Sequence, residues 1–284
     1  MTEMPDCTCY TIISRDVKLL DWCVTNARDR AGFDHKWIII NWINQPDKCN
    51  PEEEGVHQNV HDWVIEQQDL GYDIKYVPYQ ATEKKYFGSV TPILDSGWFL
   101  KNLYACWNLG YSEADTKYVA RMGSDQFFSD NWLRALMECE RRNPNGVYHC
   151  WTVESDLASK SRHETQVWGH NPDEFDKVRF DAYADSQIHR YNNELGIEGD
   201  MCGLYYRHPS RGTQRRPDGV TWLQEKVTWE KFGPLSDEIN QEGVTGDVSY
   251  MDKIYDAGIV GYLCPRSISY HLVQGESRDI QGNL

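Results

Sequence analysis

Short apolar stretches alternate with amphipathic stretches along the first half of the chain. The stretch KWIIINW (36–42) is almost continuously apolar, as expected of a strand buried on both faces. The same pattern predicts further strands at 10–14, 73–79, 116–122 and 146–153. Helical spacing predicts a helix that follows Asp16 and further helices at 56–69, 97–109 and 130–142. Repeated strand–helix units predict an α/β fold with a parallel sheet, which binds ligands beyond the carboxyl ends of its strands.

The second half of the chain begins with a different pattern. Residues 154–220 are polar and only weakly periodic, so we interpret them as an insertion or lid. Periodicity then returns with a predicted helix at 247–257, followed by predicted strands at 259–264 and 267–271.

The amino-acid composition indicates a globular protein and disfavours several classes of partner. The chain has 284 residues, 40% of them hydrophobic, which indicates a globular protein with a substantial core. Its 29 basic and 44 acidic residues give a net charge of −15, which disfavours nucleic acid and anionic membranes as partners. The sequence contains no apolar run long enough to span a bilayer, and its nine cysteines are scattered. The stretch MTEMPDCTCY has acidic residues and no apolar h-region, so no secretory leader is expected. We therefore expect a cytoplasmic protein without a disulfide framework.

Glycine and small polar residues stand at two predicted boundaries. Gly110 is expected to end the third helix as its C-cap. In RMGSDQFFSDNWL (121–133), Ser129 or Asp130 is expected to cap the next helix, whereas Asp125 lies at the end of a strand. Asp125 alone has two interpretations, a turn residue or a ligand-binding carboxylate.

The stretch ACWNLGYSEADTKYVARMGSD (105–125) resembles the central motif of the inverting family-two glycosyltransferases. That family shows Arg-Asn-x-Gly, then an aromatic-aliphatic strand and Asp-x-Asp. The positions that match are Asn108, Gly110, Tyr118, Val119 and Asp125.

A second stretch, residues 232–271, resembles the C-terminal signature of the same family. The positions that match are Gly233, Asp237, Glu238, Asp247, Gly258 and His271. Three positions depart from the family pattern. Gly123 replaces the first acid of Asp-x-Asp, Trp107 replaces the Arg, and Gly246 replaces the first of two acids.

The resemblance implies a Rossmann-like nucleotide-diphospho-sugar transferase (GT-A) fold in one domain, 1–284. Its nucleotide-binding half would be 1–150, followed by the insertion at 154–220 and an acceptor and catalytic half at 221–284.

The resemblance also implies an activity, namely metal-dependent transfer of a hexose or pentose from a nucleotide sugar to an acceptor hydroxyl, with inversion. A UDP-sugar is the first expectation for the donor, and Mn²⁺ or Mg²⁺ for the metal. Asp125 and His271 would hold the metal, and Asp247 would be the general base, although it also stands where a helix N-cap would. The residues expected to bind the nucleotide sugar are Ser14, Arg15, Asn41, Asn108, Gly123 and Ser124.

A cluster of four arginines within the insertion leaves several interpretations open. The cluster consists of Arg207, Arg211, Arg215 and Arg216. It could be a solvated loop, or it could contact the donor diphosphate or an anionic acceptor. The acceptor is not identified by the sequence, and a modified base in viral DNA is one alternative that the net charge disfavours. An alternative of another class is an inactive protein that binds sugar nucleotides, which the reduced acidic motifs suggest.

Overall fold

The computed structural model describes most of the chain. The described ranges are 6–13, 17–43, 56–80, 98–154, 164–194, 196–198, 205–208, 212–215, 221–236 and 246–272. The helices are α1 (Val17–Asp29), α2 (Val56–Asp69), α3 (Trp98–Glu113), α4 (Trp132–Arg142), α5 (Lys177–Arg190), α6 (Lys226–Phe232) and α7 (Gly246–Asp256).

Most strands belong to one mixed sheet. The first six are β1 (Cys7–Ile13), β2 (Lys36–Trp42), β3 (Ile74–Tyr79), β4 (Tyr118–Met122), β5 (Gln126–Phe128) and β6 (Val147–Glu154). The others are β7 (Glu164–Thr165), β8 (Ile197–Glu198), β9 (Tyr205–His208), β10 (Gly212–Arg215), β11 (Trp222–Glu225) and β12 (Gly261–His271). The main sheet has the order β3-β2-β1-β4-β11-β6-β12-β5, and β9 pairs with β10 separately.

Parallel pairing dominates the first half of the sheet, as the strand–helix pattern predicts. Strands β3, β2, β1 and β4 are mutually parallel, so their carboxyl ends share one edge. Strand β11 is antiparallel to both of its neighbours, β4 and β6. Strand β12 is parallel to β6 and antiparallel to β5.

Side chains of β1 and β2 alternate between two buried cores, because the sheet is covered on both faces. Cys9 and Ile39 belong to the core that also contains residues of α1, α2 and α4. Tyr10 and Ile40 belong to the core on the other face, with residues of α3. This arrangement confirms the α/β fold with a sheet flanked by helices.

Helix α3 continues through Gly110, so the expectation that this glycine ends the helix was wrong. A Cβ at position 110 would overlap the ring of Tyr10 on β1. Glycine is needed there because the helix packs closely on the sheet, and a C-cap is not its role.

Two further sequence predictions were wrong. The residue at the N-cap of α4 is Asn131, and its side chain makes no capping hydrogen bond. Ser129 accepts a hydrogen bond from the backbone N–H of Ile268, and Asp130 pairs with Arg30 at 3.1 Å.

The two strands predicted at 259–264 and 267–271 form the single strand β12, whose register with β6 shifts between Cys264 and Ile268.

The described part of the insertion is packed against the sheet by aromatic rings. Phe175, Phe180 and Trp168 contact Phe127 of β5 or Tyr270 of β12. The Tyr270 hydroxyl also donates to the carbonyl oxygen of Gly169 at 2.7 Å.

Helix α5 of this segment is tied to the first helix by charge. Arg30 donates two hydrogen bonds to the carboxylate of Asp181, at 2.7 and 2.9 Å. Such planar two-point pairs are the stronger class of ion pair.

All seven cysteines in the described ranges are buried free thiols. None of the helices described here has the length and apolar character that crossing a membrane would require.

Candidate active site

The candidate site lies at the shared carboxyl edge of the parallel strands. Strand β4 ends at Met122, and Gly123, Ser124 and Asp125 follow it in a turn. Asn41 lies one residue before the end of β2, two strands away. Ser14 and Arg15 follow β1 in the sequence but lie outside the described residues. The edge is thus where the sequence predicted a ligand site.

Asp125 and His271 are in direct contact although 146 positions separate them. The antiparallel register of β5 and β12 places His271 opposite Gln126, the residue after Asp125. His271 Nε2 lies 3.1 Å from Asp125 Oδ2, and the two side chains are 7% and 9% exposed. The Leu272 N–H also donates to the carbonyl oxygen of Asp125 at 3.0 Å. The backbone hydrogen bonds between β5 and β12 therefore fix the positions of both Asp125 and His271.

This pair fits one divalent cation as two adjacent ligands. Octahedral ligands about 2.1 Å from a metal lie about 3.0 Å apart when they are neighbours. The Asp125–His271 separation of 3.1 Å is a hydrogen-bonding distance and is also close to that spacing. Within the described ranges, no group of three or more His, Cys, Asp or Glu side chains could hold a metal. A cation bound here would need its remaining ligands from phosphate oxygens or water, which Mg²⁺ commonly uses.

The turn that carries Asp125 is held by the buried side chain of Gln126. Its Oε1 accepts hydrogen bonds from the backbone N–H of Gly123, at 3.0 Å, and from the hydroxyl of Thr221. Its Nε2 donates to Ser269 Oγ on β12 at 3.2 Å. Gln126 therefore links the turn to the strand that carries His271.

Cys23 of α1 closes the other side of this turn. Its thiol donates to the carbonyl oxygen of Gly123 at 3.3 Å. Burial raises the pKa of Cys23 to about 12, and the charge of Asp125 acts in the same direction, so the thiol keeps its proton at neutral pH. Both backbone polar groups of Gly123 are thus bonded to side chains.

Asp247 occupies the first turn of α7, where its carboxylate is half-buried. The Tyr104 hydroxyl, from α3, donates to Asp247 Oδ1 at 3.0 Å. A Cβ at the preceding Gly246 would overlap the carbonyl oxygen of Ser236. An acidic residue at position 246 would therefore require the backbone to move. This accounts for the departure from the family pattern, in which two acids stand where this chain has Gly246 and Asp247.

The two asparagines of the expected set have partners within the protein. Asn41 is fully buried, and its Nδ2 donates to the hydroxyl of Tyr76 on β3 at 3.0 Å. Asn108 donates to the carbonyl oxygen of Leu235 at 2.9 Å and accepts from its N–H at 2.8 Å. Their contact with a nucleotide sugar remains a prediction.

The arginine cluster is described only in part. Arg207 and Arg215 belong to the β9–β10 hairpin, in which they pair with Thr213 and Tyr205 respectively. Arg211 and Arg216, like Asp237 and Glu238, lie outside the described residues. Contact of this cluster with an acceptor or phosphate remains a prediction.

A buried cation, Arg121, lies near the carboxyl end of β4 and was not among the site residues predicted from the sequence. Arg121 of β4 is fully buried, and its guanidinium carbon lies 3.6 Å from the ring centroids of both Trp107 and Trp222. The sequence feature that could have pointed to Arg121 is the presence of a charged residue inside the apolar strand YVARM.

Gln126 and Tyr104 were also not predicted as site residues, because their contacts join distant parts of the chain.

The fold is that of the GT-A glycosyltransferases. The chain superposes on GalNAc-T7, solved with UDP, GalNAc and Mn²⁺, with a TM-score of 0.54 and 10% identity over 94% of this chain and 43% of that one. It superposes on the mannosyltransferase PcManGT from Pyrobaculum calidifontis, solved with GDP-Man and Mn²⁺, with a TM-score of 0.50 and 12% identity.

The second superposition covers 96% of this chain and 58% of PcManGT, so the chain spans about half the length of these two structures. No family model matches the sequence, and no curated protein matches it. The comparisons thus bear on the fold, and they confirm the GT-A architecture that the sequence resemblance implied.

Proposed function

We propose that the protein is a metal-dependent glycosyltransferase that moves a sugar from a nucleotide sugar to an acceptor hydroxyl, with inversion. The observation that carries this proposal is the contact between Asp125 and His271 at the carboxyl edge of the sheet. A buried carboxylate and imidazole at the spacing of neighbouring metal ligands are suited to a cation that also binds phosphate. The two solved structures compared above each contain Mn²⁺ and a nucleotide or nucleotide sugar.

Each residue of the site has a role in this proposal. Asp125 and His271 would hold the divalent cation, which would supply positive charge to the diphosphate leaving group. Asp247 accepts the proton of the acceptor hydroxyl as that oxygen attacks the anomeric carbon. A single displacement of this kind inverts the configuration at that carbon. Asn41, with Ser14 and Arg15, contacts the nucleoside, and Asn108, Gly123 and Ser124 line the donor site.

Donor binding provides the direct test. Thermal unfolding is measured with UDP-sugars and GDP-sugars, each with and without Mn²⁺, and release of the free sugar is then assayed. We expect one nucleotide sugar to raise the Tm only when Mn²⁺ is present, because binding to the native state stabilises it. Asp125→Asn should abolish the metal-dependent part of the shift. Asp29→Asn, a surface variant of the same type, should leave it unchanged.

The binding and turnover results also distinguish the proposed function from the two alternatives given in the sequence analysis. Metal-dependent binding without any turnover, on an acceptor panel or in water, would favour an inactive sugar-nucleotide-binding protein. Salt-sensitive DNA binding that is lost in an Arg215→Ala, Arg216→Ala variant would favour a modified base as acceptor. If Asp125→Asn leaves the Mn²⁺-dependent shift intact, the assigned metal site is wrong.

A further inference from the structure

Arg121 is a buried cation that has no ion-pair partner among the described residues. Its side chain is fully buried, and none of its three guanidinium nitrogens has a hydrogen-bond acceptor among the residues of the described ranges. No ion pair to a carboxylate forms there either. Burial of an unpaired charge is costly, so native proteins rarely keep one without a function.

The neighbouring aromatic residues do not supply the missing charge. Burial raises the pKa of Tyr111 to about 12, and the nearby Arg121 cation opposes that rise. Burial likewise raises the pKa values of Tyr10 and Tyr250 above their usual range, again against the effect of Arg121. All three phenols are therefore neutral at physiological pH and cannot balance the guanidinium.

The guanidinium of Arg121 has aromatic neighbours and no hydrogen-bonded acceptor in the described residues. Its central carbon lies 3.6 Å from the ring centroids of both Trp107 and Trp222, which are cation–π contacts and leave its N–H donors without acceptors. The N–H donors of arginine point outward in the plane of the group, where they match the oxygens of phosphate or carboxylate. Arg121 is itself fully buried and Trp107 is only partly buried, so we expect a ligand to reach these donors by displacing the Trp107 ring.

The position of Arg121 relates this cation to the candidate site. Arg121 is the last residue but one of β4, and the turn that carries Asp125 follows this strand directly. The ring of Trp107 also contacts Tyr104, whose hydroxyl is bonded to Asp247. The cation is therefore linked to the Asp125 turn by its own strand and to the proposed base by the Trp107–Tyr104–Asp247 contacts.

We propose that Arg121 binds an anionic phosphate group, the diphosphate of the donor, through the in-plane N–H groups of its guanidinium. The proposal rests on the proposed function for the source of that phosphate. It gives the reduced Gly-Ser-Asp turn a second source of positive charge beside a bound metal. It also explains why an apolar strand in the core carries an arginine.

The test compares stability with anion affinity in Arg121→Met. Removing an unpaired buried charge should leave the Tm unchanged or raise it. The affinity for UDP, measured by calorimetry at saturating Mn²⁺, should fall about tenfold, which corresponds to one charged hydrogen bond. Arg121→Lys serves the same comparison if the methionine variant does not fold, because it keeps the charge and loses the planar pair of donors. UDP affinity equal to that of the wild type in a folded variant would overturn the proposal.

Inorganic phosphate identifies the source of the anion. If it competes with UDP and needs Arg121, the donor assignment is supported. Phosphate that still binds in an Arg121-dependent way at saturating UDP would overturn that assignment in favour of an acceptor phosphate. Arg121-dependent phosphate binding by a protein that binds no nucleotide sugar would contradict the proposed function and leave the anion site in place.

Discussion

The hydroxyl of Tyr104 donates a hydrogen bond to Oδ1 of Asp247 at 3.0 Å, and this contact joins α3 to the first turn of α7. Tyr104 is itself buried, and its ring packs edge-on against Trp107. A general base must be held within reach of the proton that it accepts. Tyr104 is therefore a positioning residue for the proposed base.

Tyr104→Phe should lower kcat by about tenfold and leave the KM for the donor unchanged, because orientation of the base matters to the transfer step. Steady-state kinetics with saturating acceptor would measure this. Tyr148→Phe is the matched control, because its hydroxyl bonds to the backbone of Asn143 away from the site. Equal kcat losses in the two variants would argue against a specific role for Tyr104.

Gln126→Leu should weaken Mn²⁺ binding by about tenfold while the metal ligands themselves are intact. The substitution removes the acceptor for the Gly123 N–H and for Thr221, so the turn that carries Asp125 is no longer tied to β12. Unsatisfied buried donors should also cost about 1–3 kcal/mol of stability. Mn²⁺ binding can be followed by electron paramagnetic resonance of the free ion.

Ser269→Ala is the control for the glutamine variant. It removes the bond to Gln126 Nε2 and leaves both donors to Oε1 paired, so its effect on Mn²⁺ affinity should be smaller. A Gln126→Leu protein that is less stable but binds Mn²⁺ as the wild type does would show that the turn holds its geometry without this side chain.

Asp181→Asn should destabilise the fold at neutral pH and have little effect in acid. Burial alone would raise the pKa of Asp181, but its hydrogen bonds with Arg30 and Lys177 outweigh burial and lower it. Since the folded pKa is depressed, the stabilisation is present above the unfolded value of about 3.9 and is lost as pH falls further. We expect a difference of about 1 kcal/mol at pH 7.

Urea unfolding of both proteins at pH 7 and near pH 3 would measure this difference. Asp173→Asn is the comparison variant, because Asp173 pairs with Lys18 on an exposed surface and should contribute little. A deficit of Asp181→Asn that is as large in acid as at neutral pH would rule out the ion pair as its cause.

Gly110→Ala should destabilise the protein although alanine favours helices. The added Cβ overlaps the ring of Tyr10, and overpacking of this kind costs about 1–3 kcal/mol. The better helix propensity of alanine offsets at most about 1 kcal/mol. Thermal unfolding beside Ser112→Ala, an exposed substitution in the same helix, would test this, and a stabilised Gly110→Ala would contradict the close helix–sheet packing.

The periodic parts of the fold could be predicted from the sequence. Strand 36–42 and helix 56–69 match β2 and α2, because the first is a continuous apolar run and the second has apolar residues at helical spacing. Strand β11 was missed, since its four residues run antiparallel between distant neighbours and carry no such period. Gly110 misled the helix prediction because a glycine needed for close packing looks the same as a C-cap in sequence.

Residues of the candidate site could be predicted from the sequence only where they belong to a motif of a known family. Asp125 and His271 were paired by resemblance to a family, and the structure brings them into contact through the β5–β12 register. Gln126, Tyr104 and Arg121 could not be assigned from sequence, because their significance lies in partners up to 143 positions away. Local propensity contains no information about such contacts.

The position of β11 between β4 and β6 has a consequence for biosynthesis. Strands β4 and β6 are made early, yet both have β11 as a neighbour, and β11 ends at Glu225. The sheet therefore cannot be completed as the ribosome proceeds, and the Asp125–His271 contact must wait for β12. Until then the edges of β4 and β6 are open to wrong pairing, so this protein should depend on chaperones more than a chain whose strands pair in order.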